Sequence, residues 1–167
     1  MQELTFVQLN PEDTEACGVF TAMMGDYTRE LESHREQNVP QAVIDRWIRS
    51  IPGTLGDEDR HLELVYHGKD LVGFLFGKVD HSQHKGYIRP GWGYVMEFYV
   101  KPEYRGRGYG RKMYARIEAL FRADGVSKLY LTADPVTGKP FWIAMGFKES
   151  GEVSPENGLE FFEKHLV

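Results

Sequence analysis

The sequence predicts an α/β domain whose mixed sheet is mostly antiparallel, with one parallel crossover. Short β-prone runs alternate with amphipathic segments along the chain. Two runs, 62–66 and 71–76, flank a short turn and predict an antiparallel hairpin. A strand at 94–100, a helix and a further strand at 129–132 follow in the order of a parallel crossover. The length of 167 residues fits a single domain over 1–167.

The N-terminal part predicts one strand and two helices. Residues 4–9 predict the strand. Asn10 and Pro11 are typical of an N-cap followed by a proline in the first helical turn, so we expect a helix from there to about residue 33. A shorter helix is predicted over 40–49. The apolar face of the long helix consists of Phe20, Met23, Met24 and Tyr27.

The remaining elements follow a polar loop at 80–91. The strand at 94–100 is almost continuously apolar or aromatic, as a central strand should be, and Glu97 is its one charge. A glycine-rich turn then leads into an amphipathic helix that Gly125 ends. The last predicted elements are a strand at 129–132, a short helix from Pro140, and strands at 146–150 and 159–165.

The composition excludes several classes of protein. A formal net charge of −5 argues against binding nucleic acid along the whole surface. The single cysteine, Cys17, allows no internal disulfide and fits a reducing compartment. The sequence has no long apolar run and no signal-like N-terminus, so we expect a cytoplasmic protein without a membrane partner. A homodimer stays open.

The most informative segment is the turn Arg105-Gly106-Arg107-Gly108-Tyr109-Gly110. It joins the predicted central strand to the start of a helix, where backbone N–H groups lack partners and the dipole favours negative charge. Glycines let the backbone approach a ligand closely. The turn therefore predicts a cationic site lined by amides, into which a pyrophosphate fits.

Several functions compete for this turn. A P-loop requires Lys and then Ser or Thr after its last glycine, but Arg111 and Lys112 follow Gly110. A dinucleotide fingerprint fails because Arg111 or Met113 stands where its third glycine belongs. Binding of an acyl-CoA remains, beside a loop shaped by packing alone and an Arg-Gly nucleic-acid segment. The strand–turn–helix context favours acyl-CoA.

In this segment the sequence resembles the GNAT superfamily of acyl-CoA-dependent N-acyltransferases. Arg105, Gly108 and Gly110 match its signature of Arg or Gln, two residues, Gly, one residue, then Gly or Ala. Residues 141–147, ending in Gly-Phe, resemble its second landmark. The resemblance implies a twisted sheet of about six to seven strands with about four helices on both faces. It also implies acetyl-CoA as the donor, no metal, and an amine acceptor that is a small molecule or a peptide.

The resemblance also implies which residues bind acetyl-CoA. Backbone groups on the central strand would pair with the pantetheine arm as an added strand does, and amides of the turn would hold the pyrophosphate. The implied residues are Phe98, Tyr99, Val100, Arg105, Gly106, Arg107, Gly108, Tyr109 and Gly110.

The catalytic residues are less clearly indicated. Relatives often use a tyrosine before Gly-Phe as the acid for the leaving thiolate, but Trp142 stands there. Tyr130 or Tyr94 could replace it, and solvent is the alternative. Glu97 is the predicted general base, because a carboxylate in an apolar strand can gain a raised pKa. An ion pair with a nearby Lys or Arg is the alternative role for Glu97. A water chain without a single base is the alternative route for the amine's proton.

The acceptor site is indicated only by position. By resemblance, Tyr27 and Glu30 near the end of the first long helix would bind the acceptor, with core packing and a solvated face as their alternatives. His81 and His84 lie three apart without a third clustered ligand, which predicts no metal. We therefore expect an N-acetyltransferase, with a non-catalytic acyl-CoA-binding or regulatory module as the alternative.

Overall fold

The computed structural model describes residues 3–35, 39–56 and 59–167. The strands are β1 (Leu4–Gln8), β2 (Arg60–His67), β3 (Asp70–Val79), β4 (Gly93–Val100), β5 (Lys128–Thr132), β6 (Lys148–Val153) and β7 (Glu160–His165). The α-helices are α1 (Thr14–Ser33), α2 (Gln41–Ser50), α3 (Tyr109–Ala123) and α4 (Gly138–Ala144). Short 3-10 turns lie at Pro52–Thr54 and Pro102–Tyr104.

The described strands form one mixed sheet in the order β1-β2-β3-β4-β5-β7-β6. The predicted α/β fold with a mostly antiparallel sheet and one parallel crossover is confirmed: β4 pairs with β5 in parallel, whereas β1–β2, β5–β7 and β6–β7 are antiparallel. The chain divides into two compact units, residues 1–75 with 98–109 and residues 76–97 with 110–167. None of the helices in the described residues is both long and apolar enough to cross a membrane.

The first unit has its core where α1 meets β3. Phe20 and Met24 are fully buried, as the helical spacing of apolar residues predicted. The Phe20 ring lies edge-on to Phe74 of β3, with 5.3 Å between ring centroids. Antiparallel pairing of β1 with β2 runs from Leu4↔His67 to Gln8↔Glu63.

The start of α1 differs from the prediction. Asn10 caps a local turn, in which its Oδ1 accepts from the backbone N–H of Glu12 at 3.0 Å. The helix N-cap is Asp13, whose side chain accepts from the N–H of Ala16 at 3.0 Å. Both Asn and Asp favour N-caps, so the second of two competing caps begins the helix.

The second unit has its core under α3. Met113, Ile117 and Phe121 are fully buried on one face of this amphipathic helix. Tyr114 is also buried, whereas Leu120 is partly buried. Antiparallel pairing of β5 with β7 runs from Lys128↔His165 to Thr132↔Phe161. The parallel register of β4 with β5 consists of Gly93↔Leu129 and Tyr94↔Tyr130, at the beginning of β4.

Strand β3 is longer than the predicted run, which stopped at residue 76. It continues to Val79, and its Lys78 is only 6% exposed. Lysine is unusual in a buried strand and breaks the apolar pattern. Its ammonium pairs with the carboxylate of Asp80, 3.4 Å away and 0% exposed, which allows the strand to stay buried.

Candidate active site

The glycine-rich turn leaves β4 through a short 3-10 turn and ends at the first turn of α3. The N–H of Tyr104 donates to the carbonyl of Lys101 at 2.9 Å. The N–H of Arg105 donates to the carbonyl of Pro102 at 3.3 Å. Gly106 and Gly108 then adopt φ values of +77° and +85°. These are left-handed conformations that side chains with a Cβ disfavour, which explains the glycines.

The space beside this turn is open. A Cβ built on Gly106 or Gly108 would have no heavy atom within 4 Å. The following residues begin α3, whose first-turn N–H groups have no partner within the helix. Alternating glycines at a helix start thus form an open, amide-lined cradle, a backbone arrangement that favours anions.

Gly110 has a different role from the two glycines before it. It lies within α3, and a Cβ there would stand 3.0 Å from Cε2 and 3.3 Å from Cζ of the Phe141 ring. The last glycine of the turn therefore lets Phe141, in the middle of α4, pack closely against α3.

The side chain of Arg105 is held in place by contacts with other residues of the chain. Its Nε donates to the carbonyl of Val100 at 2.8 Å, and its Nη2 pairs with Oε2 of Glu30 at 2.9 Å. The guanidinium carbon lies 5.6 Å from the centre of the Tyr99 ring. Arg105 thus fastens the turn to the end of β4 and to α1, and Glu30, predicted as an acceptor-binding residue, lies beside the turn.

Tyr27, the other predicted acceptor-binding residue, packs in the first unit. Its ring lies edge-on to Phe74 at 5.6 Å and tilted against Tyr99 at 5.2 Å between centroids. Burial, and then the charge of Glu30, raise the pKa of Tyr99. Tyr27, Glu30, Tyr99 and Arg105 therefore form one connected group along the end of α1 and the end of β4.

A family comparison matches most of the chain. Residues 19–147 match the model described as the acetyltransferase (GNAT) family. This span includes most of α1, the glycine-rich turn and α4 through Phe147. The chain belongs to the acetyltransferase (GNAT) family.

Individual relatives agree with this assignment. This GNAT chain is 28% identical over 108 residues to the uncharacterized N-acetyltransferase YycN of Bacillus subtilis (strain 168), a match covering 62% of the chain and 65% of that relative. The alignment thus spans less than two thirds of the length of the curated relative.

Solved structures share the fold of this GNAT chain at low sequence identity. An acetyltransferase from Thermus thermophilus has a TM-score of 0.68 and 22% identity, covering 99% of this chain and 100% of that one. A PaiA N-acetyltransferase from Thermoplasma acidophilum, solved in complex with coenzyme A, has a TM-score of 0.67 and 18% identity, covering 98% and 99%. The GNAT-like fold predicted from the sequence is therefore confirmed.

Glu97 lies on β4 of this GNAT domain and is half-buried. Burial is the largest cause that raises the pKa of Tyr94, and the charges of Glu97, Glu156 and Asp80 raise it further. Tyr94 stacks on Tyr130, with ring centroids 4.6 Å apart and planes 7° from parallel. Glu97, the predicted base, therefore lies near aromatic side chains and other carboxylates.

Tyr130, the predicted alternative acid, is fully buried. Its hydroxyl donates to Oδ2 of Asp80, which also accepts from the backbone N–H of Arg89 at 2.9 Å. Burial, and then this hydrogen bond, raise the pKa of Tyr130 above its ordinary value of 10.0. The phenol therefore stays protonated at neutral pH and anchors the loop that follows β3.

Sequence reasoning did not single out Arg89. Its guanidinium carbon lies 4.8 Å from the Trp92 ring centre, 4.9 Å from that of Tyr130 and 5.1 Å from that of Phe161. It also forms an ion pair with Glu163, and its side chain is only 11% exposed. An arginine amid aromatic residues in the polar loop was the available indication.

His84 and Trp142 are also held within the second unit. The Nδ1 of His84 accepts from the N–H of His81 at 3.2 Å and lies 3.2 Å from Nζ of Lys78. Across the described residues, no group of three or more ligand-type side chains is placed to hold a metal.

Trp142 stands in the place where relatives have the tyrosine acid. Its ring lies edge-on to those of Tyr114 and Phe147, with ring centroids 6.0 and 5.3 Å away.

Proposed function

We propose that this protein is an N-acetyltransferase that moves an acetyl group from acetyl-CoA to a primary amine in a ternary complex. The observation that carries the proposal is the open turn at the start of α3, where Gly106 and Gly108 have positive φ and no atom within 4 Å of a built Cβ. Membership of the acetyltransferase (GNAT) family supports the same donor.

The residues proposed to hold acetyl-CoA follow from this cradle. N–H groups between Arg105 and Gly110 would bind the pyrophosphate, with Arg107 adding positive charge. Backbone groups of Phe98, Tyr99 and Val100 are proposed to pair with the pantetheine arm. When bound, acetyl-CoA supplies an activated acetyl group as a thioester.

The proposed proton transfers use a carboxylate of this chain and solvent. Glu97 would accept a proton from the ammonium form of the acceptor, which leaves the nitrogen lone pair free to react. Solvent is the proposed proton donor to the leaving sulfur, because the Tyr130 hydroxyl is fully buried and already donates to Asp80. Tyr130 is the alternative donor. The negative charges of Glu97 and Glu156 near Tyr94 suit an acceptor that arrives as a cation.

A second function, a non-catalytic acyl-CoA-binding or regulatory module, is favoured by one observation. Trp142 occupies the place of the tyrosine acid, and an indole N–H is not a proton source at neutral pH. Both functions share the same cofactor site. The single Cys17 supports a reducing, cytoplasmic setting for either one.

Turnover separates the two functions. The protein is incubated with acetyl-CoA and a panel of small amines, peptides with free N-termini and lysine peptides, and free CoA thiol release is followed. An N-acetyltransferase releases thiol in step with acetylated amine. Binding of CoA without amine-dependent thiol release across the panel would support the regulatory module instead.

A further inference from the structure

The guanidinium of Arg105 does not extend from the cradle as a free cation. Two of its three nitrogens are used within the first unit: Nε on the Val100 carbonyl at 2.8 Å and Nη2 on Glu30 at 2.9 Å. The side chains of Arg105 and Glu30 are 37% and 22% exposed, so the pair is partly withdrawn from water. Glu30 lies 75 positions earlier in the chain, on α1.

From this contact we propose that Glu30 is a positioning residue for CoA: it holds Arg105 in the geometry that fixes the turn 105–110. The inference rests on the proposed function, because it presumes that this turn binds the pyrophosphate. Arg105 links three points, namely α1 through Glu30, the end of β4 through Val100, and the turn itself. Fixing the turn before CoA arrives reduces the ordering that binding requires.

Positive charge for the phosphates is then supplied by residues other than Arg105. Its charge is largely neutralised by Glu30. Arg107, Arg111 and Lys112 are exposed on the turn and the first turn of α3. With the helix-start amides they provide the anion attraction, and Arg105 provides the geometry.

Two effects of Glu30 on CoA affinity have opposite signs. As a negative charge near an anion site, Glu30 would weaken CoA binding, and its removal would free Arg105 to reach a phosphate. As the anchor of Arg105, Glu30 strengthens binding. Long-range repulsion is screened over about 8 Å at physiological salt, whereas a direct charged hydrogen bond is screened much less. The anchoring effect therefore dominates.

The test is a double-mutant cycle on CoA affinity, measured by calorimetry with free CoA as the probe. The variants are Glu30→Gln, Arg105→Gln and the double variant. Arg105→Gln keeps a side-chain donor for the Val100 carbonyl but loses the charge. The matched control is Asp26→Asn, which removes the same charge from α1 at a pair with Arg29 whose side chains are about 60% exposed.

We expect Glu30→Gln to raise the Kd for CoA about 3- to 10-fold. In the Arg105→Gln background the same change should have no further effect, since its partner is gone. Asp26→Asn should leave the Kd unchanged. The KM for the acceptor is measured beside the Kd, so that an acceptor role of Glu30 is distinguished from its effect on CoA, and thermal unfolding shows whether Glu30→Gln keeps the fold.

Three results overturn the inference. The first is an unchanged or lower Kd in Glu30→Gln. The second is an equal rise in both backgrounds, which means that Glu30 acts independently of Arg105. The third is a higher acceptor KM at unchanged CoA affinity, which gives Glu30 the acceptor role. If the unaltered protein binds no CoA, the proposed function fails together with the inference, and that result is distinct from these three.

Discussion

At Gly108, two substitutions distinguish the effect of backbone strain in the turn from the effect of an added carboxylate. Its φ is +85°, and no heavy atom lies within 4 Å of a Cβ built there. Gly108→Ala therefore adds backbone strain without a clash. A left-handed conformation costs an alanine about 1–2 kcal/mol. In a chain of this length, that lowers Tm by about 2–8 °C.

Gly108→Glu adds the same strain together with a carboxylate beside the pyrophosphate. Two unit charges about 5–6 Å apart repel by about 0.7–3 kcal/mol for an effective dielectric between about 80 and 20. The pyrophosphate carries more than one negative charge, so the repulsion exceeds the value for a single pair. We expect the Kd for CoA to rise at least about 10-fold from Gly108→Ala to Gly108→Glu.

Calorimetric titration of CoA into the unaltered protein and both variants measures this difference. Thermal unfolding of each protein without CoA shows that the two variants carry similar strain. The comparison between the variants separates the effect of the added carboxylate side chain from that of backbone strain, because their backbones are strained alike. Equal CoA affinity of two folded variants would mean that the pyrophosphate binds elsewhere.

Three further predictions concern Glu97, Tyr130 and Tyr94. Glu97→Gln should lower kcat about 10²–10⁴-fold at unchanged CoA affinity, with partial recovery at high pH, where more amine is neutral. Tyr130→Phe should lower Tm by about 3–12 °C in thermal unfolding, because Asp80 loses a charged hydrogen bond. A fall in kcat in the same variant would support a role of Tyr130 as the acid for the leaving thiolate. Because the pKa values of Tyr94 and Tyr130 are raised in the folded state, the contribution of these two tyrosines to the unfolding free energy is constant below about pH 10 and is lost above it, so the unfolding free energy from urea titrations should fall as the pH is raised above about 10.

Each of these predictions has a contrary result. Normal turnover with lower stability in Glu97→Gln would make Glu97 an ion-pair partner rather than a base. An unchanged Tm in Tyr130→Phe would mean that Asp80 does not depend on the phenol. Stability that rises as the pH is taken above about 10 would contradict the raised tyrosine pKa values.

The turn and the order of elements could be predicted because their causes are local. Glycines placed between a β-prone run and an amphipathic helix indicate a strand–turn–helix unit whatever lies elsewhere in the chain. The glycines could not be told apart from the sequence, however. Gly106 and Gly108 are required by backbone conformation, whereas Gly110 is required by the Phe141 ring, 31 positions later (141 − 110).

The side-chain networks could not be predicted because their partners are distant in sequence. Arg105 and Glu30 are 75 positions apart, and Tyr130 and Asp80 are 50 apart. Neither pair has a spacing that any helix or strand period would indicate. The same holds for Lys78. Strand β3 continues beyond its apolar run because the ammonium of Lys78 pairs with the carboxylate of Asp80. The start of α1 was mistaken for a different reason, since Asn10 and Asp13 are both good caps.

Titration of CoA into the unaltered protein tests the central claim most directly. We expect a saturable heat with one CoA bound per chain. At about a hundred times its Kd, CoA should stabilise the fold by about 2.7 kcal/mol, because it binds the native state alone. The absence of both heat and a shift in Tm up to millimolar CoA would contradict the account.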